Sequence, residues 1–346
     1  MRIGIHQSKI SFSERWVSYC RGQGIDYKIV NCYATDIISQ LSDCDALMWH
    51  YNHKGPKDSK FARQLLSSVE SAGKVVFPDM RTAWHFDDKV GQKYLLEAIG
   101  APLAQTYVFY SKEEALTWTK GTTYPKVFKL RNGAGSDNVR LVRDRRHAER
   151  LTRKAFSKGF KQYAAWSNLK ERYRKYRLGK TDLANVIRGV LRLFNPPRYA
   201  EVTPRERGYI YFQDFIPGNK YDIRVIVIAD KAFAIKRMVR GNDFRASGSG
   251  FIKYEREHFD EKTLQLAFNV SEKLKSQCMA YDFVYQSGNP VIVEISYGFA
   301  LEAYDICPGY WDNNLNWYEG PFNPYGWMIE GIVAEINKKQ KSSSAD

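Results

Sequence analysis

The chain has 346 residues, of which 44% are hydrophobic and 26% are charged, and its formal net charge is +15 at pH 7. This length and composition allow a sizeable core in two or three domains, and no run of about 18 apolar residues is present, so we expect a soluble protein. The basic N-terminus lacks the apolar segment of a signal peptide and the five cysteines lack metal-ligand spacing, which favours a cytoplasmic protein with reduced thiols.

The first 85 residues alternate short apolar runs with amphipathic stretches. We predict strands at residues 3–5, 27–30, 46–51 and 74–77, and helices at 13–22 and 61–71. Strands that alternate with helices are typical of βαβ units. The pattern therefore predicts a small α/β domain with a parallel sheet over residues 1–85.

A second section begins near residue 86 and contains a segment of small residues. A helix at 87–99, ended by Gly100 and Pro102, is followed by strands at 106–110 and 126–130. Lys129 then precedes the small residues Gly133, Ala134, Gly135 and Ser136. Such residues allow backbone N–H groups to approach phosphate oxygens closely, and a strand lysine can add a charge. No Gly-Lys-Ser/Thr follows, so this is not a Walker loop, and an ordinary β-turn has the same composition.

A basic segment comes next, and we predict a mainly helical insert over residues 143–198. Between Arg143 and Arg198 there are 17 Lys and Arg against 4 Asp and Glu, a net +13 of the total +15. The pattern is typical of a segment that binds an acidic polymer such as a uronic-acid polysaccharide, a nucleic acid or an anionic membrane surface. It is equally typical of a solvated helical face. The aromatic residues interleaved with this charge are Tyr163, Trp166, Tyr173 and Tyr176.

The last section contains a hairpin with one carboxylate on each strand. Predicted strands at 209–215, 222–229 and 231–237 and a helix at 261–276 lead to two apolar runs, 281–286 and 291–296, joined by a Ser-Gly-Asn-Pro turn. Asp282 and Glu294 lie on the same sheet face in one register and on opposite faces after a one-residue shift. Buried carboxylates need a partner, and hard oxygen ligands suit Mg²⁺.

Two further features follow the hairpin. Ten aromatic residues lie between Tyr297 and Trp327, and they suit either stacking on a sugar or an acceptor peptide, or an ordinary aromatic core. The Lys- and Ser-rich segment 337–346 is predicted to be a flexible tail.

The order of these motifs resembles the ATP-grasp superfamily, in particular carboxylate–amine ligases such as ribosomal-protein glutamate ligase, glutathione synthetase and D-alanyl-D-alanine ligase. The resemblance spans residues 80–300 and implies an ATP-grasp fold of the α/β and α+β classes. It divides the chain into a pre-grasp domain (1–85), ATP-grasp domains (86–142 and 199–336), the insert (143–198) and the tail (337–346). The matching stretches are Asp88-Lys89, Val127–Lys129 with its glycine loop, Gln213–Ile216, Asp222–Arg224, Ala234–Arg237, Gly241–Arg245, and Asp282 with Glu294.

The resemblance also implies roles for individual residues around ATP. The residues that match nucleotide-binding positions are Lys89 and Lys129 with Gly133, Gly135 and Ser136 at the phosphates, Gln213, Asp214 and Ile216 at the adenine, and Asp222 near the ribose. Arg237 and Arg245, with the small loop 247–250, match the basic elements that face the transferred phosphoryl group and the acyl phosphate.

The metal positions contain one departure from the family. Asp282, Glu294 and Ser296 match the metal ligands, but the family usually has asparagine where this chain has Ser296. A serine hydroxyl is a shorter and poorer oxygen ligand than an amide carbonyl. A second Mg²⁺ is therefore weakly held, or another group replaces the ligand, or the site is impaired.

These matches imply a Mg²⁺-dependent enzyme that uses ATP to join a carboxylate to an amine through an acyl phosphate. We favour an acidic cell-surface saccharide precursor as a substrate, because a basic surface and aromatic side chains would both hold it. A peptide or amino-acid ligase is the alternative enzyme, and an inactive fold that binds anionic polymers is the alternative from another class. Peripheral membrane contact through the insert and a homo-oligomer are compatible with the sequence, whereas nucleic acid is not an expected partner.

Overall fold

The computed structural model describes residues 1–9, 11–52, 55–132, 138–161, 165–177, 179, 181–195, 204–239 and 251–343. The predicted site residues Gly133, Gly135, Ser136 and Arg245, the loop 247–250 and the aromatic Tyr163 lie outside these ranges.

The N-terminal domain is a four-stranded parallel sheet with helices between its strands, which confirms the α/β prediction. The sheet order is β2-β1-β3-β4. Helix α3 begins five residues earlier than predicted, because Pro56 suits a first helical turn and the polar residues after it conceal the apolar period. The elements are β1 Ile3–His6, α1 Ser13–Gln23, β2 Tyr27–Val30, α2 Ile37–Gln40, β3 Ala46–Met48, α3 Pro56–Ser71 and β4 Val75–Phe77.

A second, antiparallel sheet has the order β5-β8-β6-β7 and a core of its own. Helix α7 packs Ala148, Leu151 and Ala155 into that core, so it belongs with this sheet although it falls inside the predicted insert. Helix α6 lies in a segment for which we made no prediction. The elements are α4 Met80–Ala83, α5 Lys89–Ala98, β5 Thr106–Phe109, α6 Lys112–Gly121, β6 Lys126–Lys129, β7 Arg140–Val142, α7 Arg145–Ala155 and β8 Ile210–Asp214.

Two helices, α8 (Ala165–Arg177) and α9 (Leu183–Phe194), pack against each other as a helical hairpin. Gly189 permits the close approach, because a Cβ there would lie 2.8 Å from Cδ of Arg172 and 3.0 Å from Cδ1 of Leu169. Arg172 also donates hydrogen bonds from α8 to the side chain and backbone oxygens of Asn185 on α9.

The third sheet is the largest, with the order β13-β12-β9-β10-β14-β15 and with β11 paired to β10. It shares one continuous hydrophobic core with the N-terminal domain. The elements are β9 Tyr221–Ile228, β10 Lys231–Met238, β11 Ile252–Lys253, a 3₁₀ helix Arg256–His258, α10 Glu261–Leu274, β12 Cys278–Gln286, β13 Asn289–Ser296, β14 Gly309–Asp312, β15 Trp317–Glu319 and α11 Pro324–Ser343.

For the C-terminal part the structure corrects one expectation, the flexible tail, and favours the core among the two alternatives left open for the aromatic residues. Helix α11 continues to Ser343, so the segment after Asn337 is helical rather than a flexible tail over most of its length. The aromatic residues between Tyr297 and Trp327 lie mostly in the core, and Tyr318 on β15 is the one that is largely exposed. All five cysteines are buried and unpaired.

Candidate active site

The β12–β13 hairpin brings the two predicted carboxylates together. Ser287 (φ 50°) and Gly288 (φ 79°) form a two-residue turn in which both residues have positive φ, a geometry that matches the twist of paired strands. The register set by this turn would by itself pair Asp282 with Val293, but it shifts by one residue between Phe283 and Asp282, at an irregularity typical of a β-bulge. Because of this shift Asp282 and Glu294 are direct partners, and their side chains lie on one face of the sheet.

Asp282 is buried and held by two arginines from neighbouring strands. Arg224 on β9 binds it with both arms of its guanidinium, with Nε–Oδ1 and Nη2–Oδ2 distances of 2.5 and 2.7 Å. Nη2 of Arg237 on β10 lies 2.9 Å from the same Oδ1. Burial opposes ionisation, but Arg224 and Arg237 together hold the pKa of Asp282 below its usual range. The carboxylate is therefore charged inside the sheet.

Arg237 also pairs with the predicted ribose-binding acid. Its Nε and Nη2 each lie 2.7 Å from an oxygen of Asp222, its direct partner across β9 and β10. Burial opposes the charge of Arg237, but Asp282 and Asp222 raise its pKa above the ordinary value. Both oxygens of Asp222 thus bind Arg237. Asp222, Arg224, Arg237 and Asp282 together form a group of paired charges that we call the arginine cluster.

Lys89 lies at the first position of α5 and faces the second carboxylate. Its Nζ is 3.3 Å from Oε1 of Glu294, and the side chain is 5% exposed. Asp88 caps the helix by accepting the Gly91 N–H at 2.9 Å and also binds Arg131 with both arms of its guanidinium. Both interactions hold the helix start, and therefore Lys89, against the hairpin.

Lys129 is another buried lysine, and it reaches the hairpin from the β5–β8 sheet. Its Nζ donates to Oε1 of Gln213 at 2.8 Å and to the carbonyl of Val293 at 3.1 Å. Burial lowers the pKa of Lys129 to about 8, although Glu294 acts in the opposite direction. Burial also acts to raise the pKa of Glu294, but Lys89 and Lys129 outweigh it and lower that pKa.

The predicted adenine-binding strand is β8, which lies directly beside β6. Gln213 is fixed between Lys129 and the hydroxyl of Thr106, to which its Nε2 donates at 3.1 Å. Asp214 pairs with Lys126, with a 2.6 Å distance between Nζ and Oδ1. The carbonyl of Ile216, just beyond the strand, accepts from Nδ2 of Asn219 at 3.2 Å.

The metal positions fit Mg²⁺ only in part. Asp282 and Glu294 supply carboxylates on one face, but Asp282 is shared with two arginines. The Ser296 hydroxyl donates to the Gly298 carbonyl at 2.9 Å and accepts from its N–H at 3.2 Å, which leaves it one lone pair. Within the part of the chain that the structure describes, no three His, Cys, Asp or Glu side chains are grouped to hold a metal ion. The donors present suit a magnesium ion that completes its shell with phosphate and water.

Arg224 is a residue of the site that was not predicted from the sequence. The signal was present, because Arg224 is two residues from Asp222 and therefore shares its sheet face. Only the strand order, which places β9 between β10 and β12, shows that Arg224 is the direct partner of Asp282. Tyr304 is a second omission: it is buried, burial raises its pKa, and it interacts with Arg224.

Comparison with known proteins identifies the fold. Residues 202–307 match the family described as the RimK-like ATP-grasp domain. Solved structures with the ATP-grasp fold cover 96–99% of this chain, so the ATP-grasp fold predicted from the motifs is confirmed. No curated protein matches the chain in sequence.

Three of the similar solved structures are distant in sequence but match this chain over nearly the full length of both chains. A RimK domain ATP-grasp protein from Sphaerobacter thermophilus is 14% identical with a TM-score of 0.55, covering 96% of this chain and all of that one. D-alanine–D-alanine ligase from Bacillus anthracis, complexed with ATP, is 12% identical with a TM-score of 0.58 over 99% of both chains. The ATP-grasp ligase PsnB, complexed with a precursor peptide and AMPPNP, is 11% identical with a TM-score of 0.53, covering 97% of this chain and 98% of that one.

Among the described residues, the helices are all too short or too polar to cross a membrane.

Proposed function

We propose that this protein is a Mg²⁺-dependent ligase that uses ATP to join a carboxylate to an amine. The observation that carries the proposal is the convergence of Lys89 and Lys129 on the paired carboxylates Asp282 and Glu294, within an ATP-grasp fold. Two cations beside two anions in a largely buried site form a charge arrangement suited to a metal-bound polyphosphate.

The chain's own groups fit the two cofactors in different ways. Lys89 and Lys129 would bind phosphate oxygens, and β8 with Gln213, Asp214 and Ile216 would line the adenine. Asp282 and Glu294 would hold Mg²⁺, which supplies charge neutralisation on the phosphates when it is bound. Glu294 is the more accessible of the two, because its side chain is 32% exposed whereas that of Asp282 is 7% exposed.

The proposed reaction needs no protein nucleophile. A substrate carboxylate oxygen would attack the γ-phosphorus of ATP and displace ADP, which gives an acyl phosphate. An amine would then attack the acyl carbon, lose a proton and displace phosphate, which leaves an amide. The protein's part in both steps is to position the reactants and to stabilise negative charge on the phosphoryl oxygens, and the lysines and arginines of the site are suited to it.

In this scheme Arg237 acts from a fixed position. Its guanidinium is locked between Asp222 and Asp282, so it cannot swing toward a substrate without breaking two buried ion pairs. We therefore assign it to holding Asp282 in place. Direct contact with the transferred phosphoryl group is assigned to Arg245 and the loop after it, on the strength of the family resemblance alone.

The substrate we favour from the sequence is an acidic saccharide precursor, and a peptide or amino acid is the second candidate. The saccharide proposal depends on the basic segment and on aromatic side chains, but most of those aromatics between Tyr297 and Trp327 are in the core. The second candidate is supported by the shared fold with a D-alanine–D-alanine ligase and with a ligase complexed with its precursor peptide.

Isothermal titration of an ATP analogue with Mg²⁺ tests the proposal. We expect Mg²⁺-dependent binding to wild type and a large loss in Glu294→Gln, which removes the charge but keeps the shape. Glu319→Gln, the same change at an exposed position of the same sheet, is the matched control and should bind like wild type. Absence of binding to wild type would overturn the ligase proposal and leave a module that binds anionic polymers.

If nucleotide binds, a measurement of ADP release distinguishes a saccharide substrate from a peptide or amino-acid substrate. We expect release to require one carboxylate and one amine together, since neither half-reaction turns over alone. Stimulation by a uronic-acid saccharide with an amine would support the saccharide proposal, whereas stimulation by a peptide with an amino acid would support the second candidate.

A further inference from the structure

We propose that helix α9 lies in the surface of an anionic lipid bilayer and anchors the protein there peripherally. The observation behind the proposal is a stripe of large apolar side chains on α9 that faces away from the rest of the protein. Phe194 is 84% exposed, and the other four members are exposed as well. The stripe consists of Leu183, Ile187, Val190, Leu191 and Phe194.

The spacing of these residues makes them a continuous face. At 100° per residue they fall within an arc of about 100° of the helix circumference, which is the width of an apolar face that binds a surface. The opposite side of α9 is the one that packs against α8, through Gly189 and Asn185. The helical hairpin therefore holds together without the stripe, and the stripe is available to a partner.

The charge around the stripe indicates what that partner is. Residues 165–195 contain eight Lys and Arg against two Asp and Glu, a net charge of +6. Arg188 lies beside the stripe on α9 and is exposed. An apolar face bordered by cations is typical of helices that lie in an anionic membrane surface, where burial of the apolar face and attraction to the headgroups act together.

Helix α8 adds exposed side chains that also favour a membrane surface. Trp166, Lys170, Tyr173 and Arg177 follow each other at spacings of four, three and four residues, so they share one side of α8, and all are exposed. Trp166 is 68% exposed. Tryptophan and tyrosine combine an apolar ring with a polar tip and are enriched at the membrane–water interface.

Other occupants of the stripe fit less well. A second copy of this chain would bring two surfaces of net +6 together, and the repulsion opposes that contact. A span across the bilayer is excluded for α9, because its 12 residues are far fewer than the roughly 20 that a span needs. The stripe is also a convex helix surface, which suits a planar partner.

Co-flotation of the full-length protein with vesicles tests the proposal. With about 30 mol% phosphatidylserine we expect binding at low ionic strength, weaker binding as salt is raised, and little binding to vesicles of phosphatidylcholine alone. We expect Ile187→Ser/Phe194→Ser to weaken binding to the anionic vesicles at least tenfold. Ile38→Ser/Phe61→Ser removes side chains of similar exposure (61% and 56%) from the N-terminal domain and should bind like wild type.

Three outcomes would overturn the proposal. Absence of binding to anionic vesicles at low salt would leave an acidic protein or polymer as the partner. Equal binding by wild type and the Ile187→Ser/Phe194→Ser variant would mean that charge elsewhere is responsible. A concentration-dependent dimer in sedimentation that this variant abolishes would make the stripe an interface between two copies. None of these results depends on nucleotide binding, so they are independent of the ligase proposal.

Discussion

The two most highly charged regions of this protein use their charges in opposite ways. In the arginine cluster, Asp222, Arg237 and Asp282 are buried and Arg224 is 19% exposed, and each of the four charges is paired within the cluster at 2.5–2.9 Å. In the α8–α9 hairpin Lys170, Arg177 and Arg188 are exposed to solvent, next to exposed apolar side chains. The buried charges fix the positions of their partners in the sheet, whereas an exposed basic surface attracts an anionic partner. The following predictions test that difference.

The largest effect is expected from Asp282→Ala. This change leaves Arg224 without its bidentate partner and Arg237 with one partner fewer, inside the sheet. We expect the free energy of unfolding in urea to fall by about 3–5 kcal/mol, the usual cost of an uncompensated buried charge. The double variant Arg224→Met/Asp282→Leu, which removes both charges of the pair, should recover much of that loss. Equal instability of the single and double variants would contradict the pairing.

The next effect concerns the titration of Lys129. Its pKa of about 8 lies below the usual value near 10.5, so the unfolded chain binds an extra proton between these pH values. The stability that depends on Lys129 therefore rises as pH increases from 8 to about 10, by about 2–3 kcal/mol.

Urea unfolding of wild type and Lys129→Met at pH 8 and pH 10 isolates this contribution, because the other titrating groups are common to both proteins. We expect the rise in stability with pH to be smaller in the variant. A rise of the same size in both proteins would show that Lys129 is not desolvated as the structure has it.

A smaller effect is expected from Ser296→Asn. The substitution replaces a hydroxyl that is engaged with Gly298 by a longer amide whose carbonyl can reach toward Glu294. If the site binds Mg²⁺, we expect its affinity for Mg²⁺ in the presence of an ATP analogue to increase by up to about tenfold, or about 1.4 kcal/mol. Ser342→Asn, on the exposed end of α11, is the control. An unchanged or weaker affinity would show that position 296 is not a ligand.

The smallest effect on folding is expected in the α8–α9 hairpin. Arg188→Gln removes an exposed charge, and we expect the free energy of unfolding to change by less than about 0.5 kcal/mol. Nucleotide binding by titration should also be unchanged. A loss of stability comparable to that of Asp282→Ala would remove the distinction between the two regions.

The sequence was sufficient to predict the parts of the fold that depend on local patterns. Alternating strands and helices predict the parallel N-terminal sheet, and the turn residues between two apolar runs predict the hairpin on which Asp282 and Glu294 meet. Local sequence patterns gave a wrong prediction where packing against other elements determines the length of a helix. The Lys- and Ser-rich end of α11 has few apolar residues, yet the helix continues because its earlier turns pack against α1 and β4.

The candidate site was less predictable because its contacts join distant strands. Lys89, Lys129, Asp282 and Glu294 were chosen from the sequence through motif order, and the structure brings them together. The partner of each charge depends on strand order, which no local pattern gives, so Arg224 stood in a matching stretch of the sequence without an assigned role. The same limit applies to Gln213: its contacts with Lys129 and Thr106 were not foreseen from the sequence, and its place beside adenine stays a prediction.

The division of the molecule into two hydrophobic cores has a consequence for its cooperativity. One core joins the N-terminal domain to the large sheet and contains the hairpin strands, and the other belongs to the β5–β8 sheet that carries Lys129. Each core is a candidate unit of independent local opening. Polar links between the two parts include the hydrogen bonds from Lys129 Nζ to the Val293 carbonyl and from the Ala104 N–H to the Ile292 carbonyl. A molecule held by Lys89 and Lys129 at once would join the two units, and amide hydrogen exchange of the smaller one would slow on binding.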